Sequence, residues 1–197
     1  MARLAPLPAD MVPDLQGAFA VYRKALGFVP NSVLIMQRRP KLVKALSGLV
    51  AAVMDPEGCV SPGFKRLLAH VASRAHGCLY CMAHTAGGAL RSGIDEAKVA
   101  AIWDYPTSPL YSQAERIALD VAVAAGSVPN AVSDAMFAEL RAHWSDEQVV
   151  EILGAIALFG FLNRWNDTLA TPLEEEAIEV GERLLARGGW RVGKHQI

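Results

Sequence analysis

The chain has 197 residues, of which 52% are hydrophobic, and a formal net charge of -1 at pH 7. This length and composition suffice to bury one core, so we expect residues 1–197 to form a single domain. A nearly neutral chain offers no basic field for a nucleic-acid backbone or an anionic membrane surface, and we expect neither as a partner.

Neither the opening segment nor the longest apolar stretch predicts a signal peptide or a membrane span. The opening segment MARLAPLPADMVPDLQGAF lacks an apolar region behind a charged start. The stretch VVEILGAIALFGFL is interrupted by Glu151 and is too short to cross a bilayer. We therefore expect a cytoplasmic protein, in which thiols are kept reduced. Its three cysteines are then expected to serve transient chemistry or metal binding rather than a disulfide scaffold.

Helical patterns follow one another along the chain. Apolar residues recur at the helical period in DLQGAFAVYRKALG, KLVKALSGLVAAVM, FKRLLAHVASRAHG, QAERIALDVAVAAG and AVSDAMFAELRAHW. Ser61 followed by Pro62 is typical of a helix N-cap and first position. Ser145 and Gln148 are spaced as a capping box before the long apolar stretch. The pattern predicts an all-α orthogonal bundle of about seven or eight helices.

The stretch HGCLYCMAH, residues 76–84, places two cysteines and two histidines within nine residues. We expect Gly77 to end one helix and Cys78 to start the next. At about 100° per residue, Cys78, Cys81 and His84 then project within roughly 120° and can face one pocket. Amide groups at a helix N-terminus stabilise a thiolate, and thiols at this spacing can form a disulfide. The pattern therefore indicates a redox pair with His84 as a proton donor or acceptor.

Two other interpretations of this stretch remain open. The cysteines can be small core residues of an alanine-rich bundle. Donors for zinc are also present, although ligands crowded into about one and a half turns of helix seldom complete a tetrahedron. Those four donors are His76, Cys78, Cys81 and His84. We expect neither a bound metal nor a cofactor.

The segment FKRLLAHVASRAHGCLYCMAHTAGGALRSG resembles the cysteine motif of the carboxymuconolactone decarboxylase and alkyl hydroperoxidase D superfamily. The segments GFVPNSVLIMQRRPKLVKAL and LRAHWSDEQVVEILGAIALFGFLNRWNDTLATPLE resemble the flanking parts of its peroxidase-related members. The resemblance implies an alkyl hydroperoxidase D-like helical bundle, a homo-oligomer, and a peroxiredoxin-type antioxidant activity. Its substrates would be a hydroperoxide and an unknown dithiol or disulfide reductant. It makes Cys81 the thiol that attacks the peroxide and Cys78 the thiol that resolves it.

Two positions depart from the superfamily pattern. Members carry a glutamate about three helical turns before the first cysteine as a proton relay, whereas this chain has Arg66. Their histidine lies four residues after the second cysteine, where this chain has Thr85, and His84 comes one residue earlier. We expect His70 or Arg66 to take part in the relay instead. Two other functions stay open: a lyase like the family's decarboxylases, which need no thiols, and a non-catalytic oligomeric binding protein that lost the relay.

Polar residues elsewhere have structural interpretations. The motif FLNRWND ends the long apolar stretch with four polar residues, for which a network between helices or subunits is favoured over a role around the thiols. Glu115 could replace the missing carboxylate, but a paired or exposed glutamate is the simpler interpretation. The large apolar helix faces, together with the resemblance, predict a dimer or a larger multiple of it.

Overall fold

The structure is a computed structural model that describes residues 2–196. Within this range the chain forms ten α-helices and four short 3-10 turns and no strand, which confirms the all-α fold predicted from the sequence. The helices are α1 Gln16–Leu26, α2 Asn31–Met36, α3 Pro40–Val53, α4 Pro62–His76, α5 Leu79–Arg91, α6 Glu96–Ala100, α7 Gln113–Gly126, α8 Asp134–His143, α9 Asp146–Leu169 and α10 Glu175–Leu184. The 3-10 turns are Pro13–Leu15, Ile102–Asp104, Ala186–Gly188 and Gly193–His195.

Three helix boundaries lie where local sequence signals predicted them. The Ser61 side chain accepts a backbone N–H of the first turn of α4, and Pro62 is the first residue of that helix. Ser145 and Gln148 form both hydrogen bonds of a capping box at the start of α9. Gly77 ends α4 with a φ of 83°, a left-handed conformation that glycine adopts without a steric penalty.

The structure contains more helices than the seven or eight predicted from the sequence. Helices α2 and α6 have six and five residues, too few for the helical period to be recognised. Helix α10 follows the last segment that periodicity assigned to a helix. It buries Ala177, Gly181 and Leu184, which recur every three to four residues.

Helices α4 and α5 lie at the centre of the bundle. Helix α4 packs against α5, α7 and α9, while α5 also packs against α10 and α9. The core side of α4 includes Leu67, Leu68 and Val71, each almost fully buried. Burying a side chain of this size stabilises the fold by about 1.5–3 kcal/mol. The two-residue connection between α4 and α5, Gly77 and Cys78, is thus held in place by the packing of both helices.

The outer faces of the helices are the surfaces that membrane or subunit contacts would use. Among residues 2–196, no helix is long and apolar enough to cross a membrane. Helix α9 leaves Val150 and Phe161 exposed to solvent. The homo-oligomer expected from the sequence would cover side chains of this kind and stays a prediction.

Candidate active site

The two cysteines of the CxxC motif lie at the N-terminus of α5 in different environments. Helix α5 starts at Leu79, and Cys78 is its N-cap residue, whose Sγ accepts a hydrogen bond from the backbone N–H of Cys81 at 3.4 Å. This N–H group and the helix terminus stabilise negative charge on the Cys78 sulfur. Both thiols are free and buried, with 0% of Cys78 and 2% of Cys81 exposed.

Cys81 forms part of the wall of an apolar pocket of about 170 Å³. Most of the wall consists of aliphatic and aromatic side chains from α1, α2, α3 and α9, among them Val21, Val33, Leu46, Leu158 and Phe159. His84 lines the same pocket, as the sequence predicted. The Cys78 side chain is directed elsewhere, towards Asp167 and His195. Cys81 is therefore the thiol that a pocket ligand meets.

The Cys81 sulfur is buried beside two polar groups. It accepts a hydrogen bond from Nδ2 of Asn166 at 3.5 Å. Burial raises the pKa of the Cys81 thiol well above its usual value, and its hydrogen bond to Cys78 raises the pKa further, whereas the Asn166 amide acts in the opposite direction. The sequence led us to expect that the helix terminus would stabilise both thiolates. In the structure the terminal amide donates to the Cys78 sulfur instead, and burial favours the protonated form of Cys81.

His84 is hydrogen-bonded to a carboxylate from the far end of the chain. Its Nε2 lies 2.7 Å from Oε2 of Glu174, the N-cap residue of α10. The other carboxylate oxygen of Glu174 accepts hydrogen bonds from the Asn31 backbone N–H at 2.5 Å and the Tyr80 hydroxyl at 3.1 Å. Burial acts to raise the pKa of Glu174, but His84 and the Asn31 N–H outweigh burial, and the pKa lies below its usual value. The ionised carboxylate therefore fixes the orientation of His84.

Glu174 brings a carboxylate to the site through its contact with His84. The chain has Arg66 at the position where the resemblance implies a relay glutamate. Glu115, the carboxylate considered from the sequence, instead completes the capping box of α7 and pairs with Lys98 at 2.7 Å. The sequence signal at Glu174 is a local one: TPLEEE is typical of a helix start. Nothing local indicates that this helix start meets His84.

Arg66 lines the pocket beside Cys81. Burial and the nearby Arg91 lower the pKa of Arg66 to about 10, so the guanidinium keeps its charge at neutral pH. No carboxylate between residues 2 and 196 pairs with it. Its side chain lies along Gly88 of α5, where an added Cβ would be only 3.0 Å from the Arg66 Cδ. The pocket thus combines an apolar wall with one unpaired positive charge.

His70, the other residue expected to act in the relay, packs between helices outside the pocket wall. Its Nδ1 is 2.9 Å from the Met82 carbonyl oxygen and 2.9 Å from Oγ1 of Thr85. The ring lies 4.7 Å from the Trp103 ring, centroid to centroid. Burial lowers the pKa of His70 to about 3, so the imidazole is neutral. These contacts connect α4 to α5 and do not bring His70 to the substrate side of Cys81.

The four zinc donors considered from the sequence do not converge on one point. His76 lines a separate pocket, together with Asn163 and Arg164. His84 directs its Nε2 to Glu174. Because two of the four donors face other partners, the CxxC stretch by itself does not form a tetrahedral site.

A different cluster forms around the Cys78 thiol. Donor atoms of Cys78, Asp167 and His195 lie within 4.8 Å of one another. Asp167 also bonds to the ammonium group of Lys194 at 2.7 Å. A metal ion here would be repelled by that neighbouring positive charge, so we assign no metal to this cluster.

Comparison with known proteins identifies the family. A sequence model of the carboxymuconolactone decarboxylase family matches residues 40–124, which include both CxxC cysteines. The crystal structure of the debrominase Bmp8, as a cysteine-to-alanine variant in complex with 2,3,4-tribromopyrrole, is similar with a TM-score of 0.87 and 32% identity over 92% of this chain and 96% of that chain. The chain belongs to the carboxymuconolactone decarboxylase and alkyl hydroperoxidase D superfamily. The resemblance noted in the sequence is thereby confirmed.

Two further proteins are similar to this chain at lower sequence identity. The uncharacterised protein YnjA of Escherichia coli strain K12 is 25% identical over 154 residues, which are 78% of this chain and 85% of that protein. A peroxidase-related protein from Silicibacter sp. TM1040 has a TM-score of 0.77 and 21% identity over 87% of this chain and 91% of that chain. At that identity the second likeness shows the superfamily fold alone.

The superfamily fold brings residues to the thiols that the sequence did not assign to the site. Asn166 contacts the Cys81 sulfur, and Asp167 lies in the cluster around Cys78. Both belong to FLNRWND, for which the sequence favoured a structural network between helices. Their position at the end of a long apolar helix was a usable signal, but only packing shows that this helix end faces α5.

Proposed function

We propose that the protein is a thiol-dependent oxidoreductase that removes a halogen from a small aromatic substrate. The observation that carries this proposal is the Cys81 thiol in the wall of an apolar pocket of about 170 Å³. The second thiol lies next to it, since the Cys78 sulfur accepts a hydrogen bond from the Cys81 backbone N–H. An apolar cavity of about 150 Å³ is large enough to bind a benzene ring. The 32% identity to a debrominase over 92% of this chain supports the same substrate class.

The dithiol supplies the electrons for this reaction. Replacement of a carbon–halogen bond by a carbon–hydrogen bond is a two-electron reduction, and two thiols release two electrons when they form a disulfide. Cys81 passes its proton to the His84 imidazole in the same pocket, and the Cys81 thiolate attacks the halogen. The carbon–halogen bond breaks, its electron pair stays on the ring carbon, and that carbon takes a proton from His84, which lines the same pocket.

The second half of the reaction forms the disulfide and releases the halide ion. Cys78 attacks the sulfur–halogen bond on Cys81, which yields the disulfide and a halide ion. In sum, two thiols and one aryl halide give one disulfide, one arene, one halide ion and one proton. An external dithiol then reduces the disulfide and returns both cysteines to the thiol state.

Arg66 favours a substrate that carries or develops negative charge. Attack on the halogen moves charge from the thiolate onto the ring, inside a pocket whose wall is mostly apolar. A fixed cation in such surroundings stabilises developing negative charge more strongly than it would in water. Arg66 lacks a carboxylate partner among the described residues and is available for this task. Halogenated phenols, which ionise at the hydroxyl group, and halogenated pyrroles, which ionise at the ring N–H, fit this combination.

Hydroperoxide reduction is the second candidate, and the pair of His84 and Glu174 favours it. The resemblance implies a relay built from a carboxylate and a histidine, and these two residues provide both groups beside the pocket. In that reaction Cys81 attacks one peroxide oxygen, an alcohol leaves, and Cys78 converts the sulfenic acid to a disulfide with loss of water. The similar protein named peroxidase-related is 21% identical and supports the fold alone. A decarboxylase-type lyase needs no thiols, so the Cys81 pocket argues against it.

The test compares two substrates on one protein. Reduced wild-type protein with dithiothreitol is given tetrabromopyrrole or cumene hydroperoxide, and bromide release and peroxide consumption are measured. We expect catalytic bromide release, none with Cys81→Ser, and at most a single turnover with Cys78→Ser. Cys59→Ser is the matched control because Cys59 is exposed, away from the site. Turnover of the peroxide alone would establish the second candidate, and turnover of neither would leave the non-catalytic binding protein.

A further inference from the structure

The C-terminal segment, residues 185–196, covers the start of α5. The indole Nε1 of Trp190 donates a hydrogen bond to the Leu79 carbonyl at 2.9 Å. The Trp190 ring packs against Gly181 of α10 so closely that a Cβ on this glycine would overlap it. Further along, the Leu173 N–H donates to the His195 carbonyl at 2.9 Å. The segment is therefore fixed at two points, and it places His195 beside the CxxC motif.

His195 is held in one tautomer. Its Nδ1 lies 2.8 Å from the Thr171 carbonyl oxygen, which can only accept a hydrogen bond, so Nδ1 carries the proton. The lone pair on Nε2 is then free to accept a proton. Nε2 is buried and has no hydrogen-bond partner within the described chain. An unpartnered acceptor inside the protein is unfavourable unless a donor approaches it during function.

The free acceptor of His195 belongs to the cluster that surrounds the Cys78 thiol. Nε2 is 3.8 Å from Oδ1 of Asp167, and the donor atoms of Cys78, Asp167 and His195 lie within 4.8 Å of one another. Lys194 pairs with the other oxygen of Asp167, and the Tyr80 ring is 5.9 Å from the imidazole ring. Burial, as the largest effect, lowers the pKa of His195, so the imidazole is neutral at pH 7.

We propose that His195 is the base for the resolving thiol, a role that rests on the dithiol chemistry proposed above. Cys78 holds a proton after Cys81 has attacked the substrate, and it must lose that proton to become a nucleophile. Nε2 of His195 takes the proton as the Cys78 sulfur bonds to the Cys81 sulfur and the halide or hydroxide leaves. The Asp167 carboxylate stabilises the resulting imidazolium. On reduction of the disulfide, His195 returns the proton to the departing Cys78 thiolate.

The burial of Cys78 explains why a dedicated base is needed. The Cys78 side chain is 0% exposed, so bulk water does not reach its sulfur. Cys81 cannot take the proton once its own sulfur is oxidised. His84, which lines the substrate pocket, is paired with Glu174. His195 is the remaining neutral imidazole in the cluster around Cys78.

The experiment separates the closing of the disulfide from the reaction with substrate. Reduced protein is oxidised with one equivalent of hydrogen peroxide, and disulfide formation is followed over pH 6 to 9 with dimedone present to trap sulfenic acid. His195→Asn keeps a donor for the Thr171 carbonyl and removes the base. We expect closure to slow by about 100-fold, with trapped sulfenic acid on Cys81 and a rate that depends more steeply on pH, because the Cys78 thiol then has to ionise without a base. His76→Asn, on a histidine that lines a separate pocket, is the matched control.

The outcomes distinguish this proposal from the proposed function. Slow closure in His195→Asn supports the base even if no halogenated substrate is turned over, because hydrogen peroxide alone serves as oxidant. Closure at the wild-type rate with an unchanged pH profile would overturn it. Stoichiometric zinc in the purified wild-type protein, lost in His195→Asn, would also overturn it and reassign the cluster to metal. Should His195→Asn fail to fold, Asp167→Asn is the second variant, and an unchanged closure rate there would count against the proposal.

Discussion

Nε2 of His84 lies 2.7 Å from Oε2 of Glu174, although 90 residues separate the two in the chain. The pair connects α5 to the N-terminus of α10, and the imidazole stacks on the Tyr80 ring with a centroid distance of 4.3 Å. The helix N-terminus, the His84 imidazole and two further hydrogen bonds all favour the ionised form of Glu174. The pair thus joins two helices and holds the His84 imidazole at the pocket wall.

Glu174→Gln should impair both stability and turnover. The amide keeps the size of the side chain but removes the charge opposite His84, so we expect the free energy of unfolding to fall by about 1–3 kcal/mol. Because the pKa of Glu174 in the folded protein lies below 4.5, its stabilisation is present above pH 4.5 and is lost as the pH falls through the folded pKa. The difference from wild type in urea unfolding should therefore shrink in acid.

The kinetic effect of Glu174→Gln has its own control. We expect turnover to fall by about 10- to 100-fold, since His84 loses the group that orients it. Glu175→Gln alters the adjacent, exposed carboxylate and should leave both stability and turnover near wild type. If Glu174→Gln and Glu175→Gln behaved alike, the contact between Glu174 and His84 would contribute to neither stability nor turnover.

Arg66→Met should stabilise the protein and reduce its activity. The methionine fills similar space and removes a half-buried cation that has no carboxylate partner in the described chain. We expect the free energy of unfolding to rise by about 1 kcal/mol and kcat/KM for tetrabromopyrrole to fall at least about 10-fold. Thermal unfolding and bromide release measure the two effects. Arg91→Met, at an exposed neighbouring arginine, is the control, and a destabilised Arg66→Met with full activity would make Arg66 a structural residue.

His70 makes stability depend on pH. Its pKa is about 3 in the folded protein, against 6.5 for an unperturbed histidine, so below pH 6.5 the unfolded chain binds a proton that the folded protein does not. Stability therefore rises with pH between about 3 and 6.5, with a slope that approaches roughly 1.4 kcal/mol per pH unit from this residue. His70→Asn keeps a donor for the Met82 carbonyl but does not titrate. Its unfolding free energy should change less steeply between pH 4 and 6, whereas His143→Asn, at an exposed histidine, should keep the wild-type slope.

Lys65 and Glu151 form the ion pair whose loss should destabilise the fold most. Nζ of Lys65 is 2.6 Å from Oε2 of Glu151, and the Lys65 side chain is only 1% exposed. Glu151→Ala leaves a buried ammonium group without its partner, at a cost of about 3–5 kcal/mol. The pair of Lys44 and Asp14 is 53% and 73% exposed, so Asp14→Ala should cost no more than about 1 kcal/mol. Urea unfolding compares the two variants, and similar losses would contradict the role of burial.

The CxxC stretch shows how far a functional interpretation can be taken from the sequence. Cysteines three residues apart at a helix start indicated redox chemistry, and the structure places Cys81 in a pocket with His84. The relay residues were harder to assign. His70 was chosen because it precedes the motif by two turns of helix, but its ring packs against Trp103 rather than at the pocket. Position along a helix indicates which residues share a face, whereas the neighbour of that face depends on which other helix packs there.

The sequence by itself determined the longer amphipathic helices and several of their boundaries. Ser61 with Pro62, Gly77, and Ser145 with Gln148 act through hydrogen bonds or backbone angles within a few residues, so the local sequence is sufficient to predict them. Only the tertiary structure decided which residues surround the thiols. Glu174 reaches His84 because α10 packs on α5, and His195 reaches Cys78 because the C-terminal segment folds back over the start of α5. Such contacts depend on the packing of the whole bundle, which no local pattern of residues specifies.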